Sequence, residues 1–187
     1  MSAWENIRED ISAVPISTDA AVDAVKWFAI QTRARHEKKV DAQLQEKGVV
    51  SFLPLSNELH QWSDRQRVVH QPLFPGYLFV HISDSPEGRR PVLTTAGVCW
   101  FVGNQGMGLP IPGKQIQDIQ TILRSAVSYS PFPFVRVGQR VRIRGGCLDG
   151  IEGILISKDS ARTVVVSVEL VRRSLAVRIN GYDLEQA

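Results

Sequence analysis

LeuPheProGlyTyrLeuPheValHisIle, residues 73–82, is the stretch from which the fold is read. After its Pro-Gly turn it is apolar on both alternating faces, the mark of a strand covered on each side by other elements. Upstream, TrpPheAlaIle at 27–30 has the same texture and predicts a second buried strand. The stretch after Thr32 sets Ala34, Val40 and Leu44 on one helical face and ends at Gly48, a helix with a glycine stop. Residues 49–55 read as a further strand, and 57–70 as the two arms of a hairpin turning near Ser63-Asp64. Downstream, the polar residues 83–90 read as a turn, 91–96 as a short helix and 98–102 as a core strand. From Lys114 to Ser125, Ile116, Ile119, Ile122 and Leu123 share one face of an amphipathic helix. The expectation for this part is an α+β sandwich, with helices on a mostly antiparallel sheet.

SerTyrSerProPheProPhe, residues 128–134, is uncharged and broken by proline, so it reads as a linker. Beyond it the pattern is almost purely β. Residues 140–144 alternate strictly, 154–157 and 163–170 are β-rich, and 174–179 alternate again, with Gly-Gly and Asp-Gly turns among them. Short strands in so few residues suit a small closed barrel, because closure removes exposed edges. Residues 163–168 are so β-branched that a helical alternative for them is not expected.

The chain has 187 residues, 43% of them hydrophobic and 22% charged, the usage of a globular protein with no bilayer-length apolar run. The opening residues carry acids where a secretory leader carries bases, so a cytoplasmic protein is expected. Charge is segregated. Residues 1–24 hold one base, Arg8, against Glu5, Glu9, Asp10, Asp19 and Asp23, whereas the rest is mildly basic, which favours a polyanionic partner. Trp4, Ile7, Ile11 and Val14 recur at helical spacing before Pro15. Residues 1–25 are read as a loosely ordered extension, with a short docking helix as the alternative. Cys99 and Cys147 show no CxxC spacing and no pairing with the four histidines, so neither a disulfide framework nor a metal site is indicated, and no cofactor is expected. GxSxG, P-loop, HExxH and GxGxxG signatures are missing, so the sequence offers nothing for an enzyme.

Two segments resemble the NusG family of transcription elongation factors. LeuPheProGlyTyrLeuPheVal (73–80) is similar to the FPGY-type segment of its NGN domain, and ValGlyGlnArgValArgIleArgGlyGlyCysLeuAspGlyIleGluGlyIleLeu (137–155) to the KOW motif of its C-terminal barrel. Within the family the chain resembles the UpxY and RfaH antiterminators, and TrpSerAspArg (62–65), ProLeuPheProGlyTyr (72–77) and ValSerValGluLeuValArgArgSer (166–174) resemble especially the UpxY group. The resemblance covers residues 26–187 and implies an NGN domain at 26–127, a linker at 128–134 and an SH3-like KOW barrel at 135–187. It implies a monomeric, non-enzymatic factor that binds the RNA polymerase clamp and suppresses pausing and termination. The clamp-binding cavity would involve Phe74, Pro75 and Tyr77, with Phe52, Leu53, Trp100 and Phe101 as neighbours. Arg33, Arg35, His36, Lys38 and Lys39 at the first helix, with Arg65 and Arg67 on the hairpin, would face the non-template DNA strand. Arg89 and Arg90 stand where RfaH-type factors touch the polymerase gate loop, without the HTT segment those factors use.

In the barrel, Leu170, Val171, Arg172, Arg173 and Ser174 would form the partner surface. A ribosomal protein is one candidate partner. Rho is disfavoured, because Val171 and Arg172 replace the aromatic and glycine of the family's SIFGR-like segment. The residues leave a second reading open, a ribosome-associated or general RNA-binding KOW protein. It would use Arg140, Arg142, Arg144, Arg172, Arg173 and Arg178, which alternate with apolar residues and are equally the solvent face of a sheet.

Overall fold

The computed structural model describes residues 24–62, 65–132, 134, 138–157 and 163–187. The first 23 residues, and with them the Trp4–Val14 helical pattern, lie outside the described residues, as does the Ser63-Asp64 turn. The N-terminal half opens with strand β1 (Val25–Thr32), helix α1 (Glu37–Glu46), β2 (Val50–Phe52) and the arms β3 (Leu55–Trp62) and β4 (Arg65–Pro72). It continues with β5 (Tyr77–Ser83), α2 (Pro86–Leu93), β6 (Val98–Phe101), the short β7 (Pro110–Ile111) and α3 (Gly113–Arg124). β2, β5, β1 and β6 form an antiparallel sheet in that order, and β7 also pairs with β1.

The double apolar character of the two central strands is explained by what lies on each side. Phe28 and Ile30 of β1 face the same way as Leu78, Val80 and Ile82 of β5, and they meet Val40 and Leu44 of α1 and Val92 of α2. Ala29 and Phe79 point to the opposite face, where Ile116, Ile119 and Ile122 of α3 cover them. Alternation along a strand thus feeds two cores at once.

Three sequence expectations are corrected here. The strand expected over 49–55 is two strands, because Leu53-Pro54 breaks the ladder and β3 swings out to pair only with β4. The turn expected at 83–90 is largely helical. Ser85 caps α2 by accepting the Gly88 N–H, and Pro86 follows at the first helical position, where a missing N–H costs nothing. The stretch read as a linker contains a strand, β8 (Tyr129–Phe132), at the edge of the second sheet, a position that tolerates Pro131.

That sheet continues with β9 (Gln139–Arg144), β10 (Glu152–Ser157), β11 (Thr163–Val168), β12 (Arg173–Arg178) and β13 (Asp183–Gln186). Its order is β13-β9-β10-β11-β12-β8, all antiparallel. The six strands form one antiparallel sheet, and among the described residues no pairing joins β8 to β13 to close it into the expected barrel. Gly153 sits where β10 crosses β11, and a Cβ there would come within 2.5 Å of the Val164 side chain and the Val165 carbonyl, so only glycine fits.

Candidate functional site

The Phe74-Pro75-Gly76-Tyr77 turn is held by a residue that no motif marked. Glu37, buried at the first turn of α1, accepts the Gly76 N–H through Oε1 at 2.8 Å, while the Gly76 carbonyl accepts the Thr32 N–H at 2.9 Å. Gly76 has φ +81°, a conformation glycine adopts freely. The turn is therefore tied to β1 and to α1, and the start of α1 carries the basic cluster.

Phe74 and Tyr77 belong to the α3 face of the first sheet. Phe74 is 1% exposed and meets Phe79 edge-on at 6.2 Å, and Phe52 stacks on the other side of Phe79 at 6.1 Å. Tyr77 is half-buried and Pro75 exposed. Leu53 and Phe101 are a correction: they pack in the opposite core with Phe28, so they do not join the Phe74 surface. Trp100 is 50% exposed on β6.

The aromatic face is not open. The apolar cluster that contains Phe74, Phe79 and α3 runs without a break into Val141, Val166, Val171 and Leu175 of the second sheet. Arg173 places its guanidinium 5.6 Å from the Tyr77 ring centre. Lys114 of α3 donates to the Gly150 carbonyl at 2.9 Å, and Gln115 accepts the Glu169 N–H at 3.2 Å. The turn expected as a partner surface, 170–174, thus lies against the first sheet. Val171 and Ser174 in it are buried, a second correction, with the Ser174 hydroxyl 2.7 Å from that of Ser167. Arg172 and Arg173 remain exposed, Arg172 with φ +50° and its guanidinium over Phe134. A cleft of about 810 Å3, open to solvent, lies between α3 and the second sheet.

Around α1, Arg33, Arg35, Lys38 and Lys39 are exposed and have no acidic partner among the described residues. His36 is half-buried, its Nδ1 3.0 Å from the Ala34 carbonyl oxygen. Arg65 and Arg67 lie on β4 opposite Trp62 and His60, and their side chains fall outside the described residues. Arg89 is not a free cation. It binds Asp84 at 2.5 Å and the Met107 carbonyl, and lies over the rings of Phe28 and Phe101. That hydrogen bond holds the Asp84 carboxyl below its ordinary pKa. Arg90 beside it is exposed.

The barrel arginines are mostly engaged within the chain. Arg142 pairs with Glu152 at 2.7 Å, Arg144 with Glu185 at 2.5 Å, and Arg173 lies at the Tyr77 ring, which leaves Arg140 and Arg178 as exposed cations of the strands with neither an acidic nor an aromatic partner among the described residues. Among the described residues no cluster of three or more His, Cys, Asp or Glu side chains could hold a metal ion. No helix there is long and apolar enough to cross a membrane.

A family model described as "Transcription termination factor nusG" matches residues 25–120. The transcription termination/antitermination protein NusG of Lactococcus lactis is 29% identical over 171 residues, covering 85% of this chain and 91% of its own. The protein of the same name from Borreliella burgdorferi is 25% identical over 181 residues, covering 86% and 97%. A solved structure described as "Domain interaction in Thermotoga maritima NusG" has a TM-score of 0.50 at 22% identity and covers 82% of this chain and 92% of that one, a likeness of fold.

Proposed function

The chain belongs to the NusG family, and on that premise we propose that it is a specialised antiterminator of the UpxY or RfaH type, a non-enzymatic factor that binds the RNA polymerase clamp. The observation that carries this reading is the turn at Phe74–Tyr77. It sets Phe74, Tyr77 and Phe52 on one face of the first sheet, and Glu37 ties the turn to α1 and to the exposed cations around the start of that helix. Rigid aromatics together with unpaired basic side chains suit a protein partner that itself carries nucleic acid. In this reading residues 26–127 are the NGN domain, 128–134 the connection and 135–187 the KOW domain. Phe74, Pro75, Tyr77 and Phe52 seat on the clamp, and Arg33, Arg35, Lys38 and Lys39 run along the exposed non-template strand.

By binding the closed clamp better than the open one, the factor lengthens the time spent elongating. The C-terminal sheet covers the aromatic face, so it has to step aside before the clamp can bind. Once it has moved, its 170–173 turn is free for a second partner. Rho fits that turn poorly, since Val171 and Arg172 stand where the family has an aromatic residue and glycine. A general RNA-binding role draws less support, because Arg142 and Arg144 are tied to acids.

The test is retention on immobilised core polymerase. The full chain with Arg173→Glu, which sets a carboxylate against the Tyr77 ring face and loosens the cover, is expected to bind at least as well as wild type. Addition of Phe74→Ala and Tyr77→Ala is expected to abolish binding. No retention of either parent overturns the mechanism, and full retention of the triple variant overturns the surface. If Arg33, Arg35, Lys38 and Lys39 contact single-stranded phosphates, the logarithm of DNA affinity falls with that of salt with a slope of about −3.

A further inference from the structure

A groove of about 710 Å3 runs between α2 and the Gly103–Leu109 loop, away from the aromatic face. Leu93, Met107 and Leu109 in its walls are 52%, 69% and 41% exposed, a concentration of uncovered large apolar side chains in one place. Its framework is rigid, because Arg89 is clamped between Asp84, the Met107 carbonyl and two aromatic rings. With Arg89 and Lys26 both beside Asp84, the charge left over at the groove is Arg90, which has no acidic partner among the described residues.

The chain itself supplies a segment that matches this groove. β1 begins at Val25, paired with Ser83, and Lys26 reaches Asp84 of the groove at 3.6 Å, so the described chain begins at the groove's rim. Residues 1–24 carry five acids against one base and place Trp4, Ile7, Ile11 and Val14 on one helical face. We propose that residues 4–14 dock in the groove of their own chain, apolar face against Leu93, Met107 and Leu109, with their acidic side chains towards Arg90. Length permits it. Residues 15–24 reach up to about 35 Å when extended, and eleven helical residues span about 16 Å. The tether also holds the segment at an effective concentration in the millimolar range, so weak contacts suffice.

The docking itself does not depend on the polymerase reading, but one consequence of it does. The same groove holds Arg89 and Arg90, the expected gate-loop contacts, so the docked segment would act as a built-in competitor for that contact.

The test uses the full chain with p-benzoylphenylalanine in place of Trp4, irradiated and mapped by mass spectrometry. The expected product is a crosslink within the chain to Met107, Leu93 or Leu109. An isotope-labelled copy mixed in before irradiation separates this from crosslinks between copies. Crosslinks mainly elsewhere, mainly between copies, or absent after the benzophenone is consumed overturn the proposal. Arg90→Glu, an exposed change, is expected to lower the yield severalfold at low salt and less at high salt. An unchanged yield overturns the electrostatic part. Failure of the polymerase test leaves the crosslink result unaffected, so the two readings fail separately.

Discussion

Glu37 shows how a single side chain organises the candidate site. It is a buried side chain whose Oε1 takes the Gly76 N–H, so its removal leaves a partly buried donor unpaired at the turn that presents Phe74 and Tyr77. Glu37→Ala is expected to cost about 1–3 kcal/mol, the range for leaving a donor unsatisfied, measured by urea denaturation. Glu37→Gln keeps an acceptor and should cost less, with faster exchange of the Gly76 amide in both variants as the local readout. Arg172 is a second residue-scale case. A left-handed backbone costs a side-chain-bearing residue roughly 1–2 kcal/mol, whereas its contact with Phe134 returns about 0.5–1 kcal/mol at an exposed site. Arg172→Gly should therefore leave stability unchanged or raise it by up to about 1 kcal/mol, and a loss of more than 1 kcal/mol in thermal unfolding would refute the strain argument. Neither effect was legible in the sequence. Glu37 sits among ordinary helix formers, 39 positions from its partner in the chain.

At the scale of elements, α3 joins the two sheets and carries a titrating group at the junction. Burial raises the Asp118 carboxyl above its ordinary pKa, Glu152 across the junction adds to this, and Lys114 opposes it. The folded form thus holds the Asp118 proton more tightly than the unfolded one. The stabilisation is complete below the ordinary carboxylate value and is lost as pH rises through the raised one. Asp118→Asn removes that loss, so it is expected to raise stability at neutral pH and to flatten this limb of the pH–stability curve. Glu152 slopes the other way. The Arg142 hydrogen bond lowers its carboxyl, so its contribution is present above the ordinary value and lost as pH falls through the lowered one. α3 itself was readable, because Ile116, Ile119 and Ile122 repeat at helical spacing and all three are buried. β1 and β5 were readable for the same reason, a continuous apolar pattern. α2 was read too short because Gly88 and two prolines argue for a turn when counted as composition, while the Ser85 cap and Pro86 at the first helical position argue for a helix only when read by place. β7 and β13 are short and gain their order from neighbours, which local pattern does not encode. The aromatic set at the site was read as one group, and the sheet divides it, because Leu53 and Phe101 face the other core. A one-residue step along a strand changes sides, and motif spacing alone does not say which side faces a partner.

For the whole molecule, the arrangement of the two sheets sets how much of the candidate surface is available. The cover over Phe74 and Tyr77 is made of a cation over a ring, two hydrogen bonds with α3 and an apolar seam beside a solvent-open cleft of about 810 Å3. Interfaces within a chain that are partly polar hold two units together by only a modest margin. The affinity observed for any partner of the aromatic face is the intrinsic affinity reduced by the fraction of molecules that stand open. Arg173→Ala removes the contact of this exposed cation with the half-buried Tyr77 ring, about 0.5–1 kcal/mol, without touching the face itself. While the closed form dominates, this converts to a two- to fivefold rise in apparent polymerase affinity, about a decade for each 1.4 kcal/mol. Gln115→Ala, which removes the acceptor for the Glu169 N–H, should act in the same direction. Titration of each variant against core polymerase by fluorescence anisotropy checks this. A fall in affinity would mean that these residues bind the partner rather than guard its site. An unchanged affinity would mean that the open form already predominates in solution.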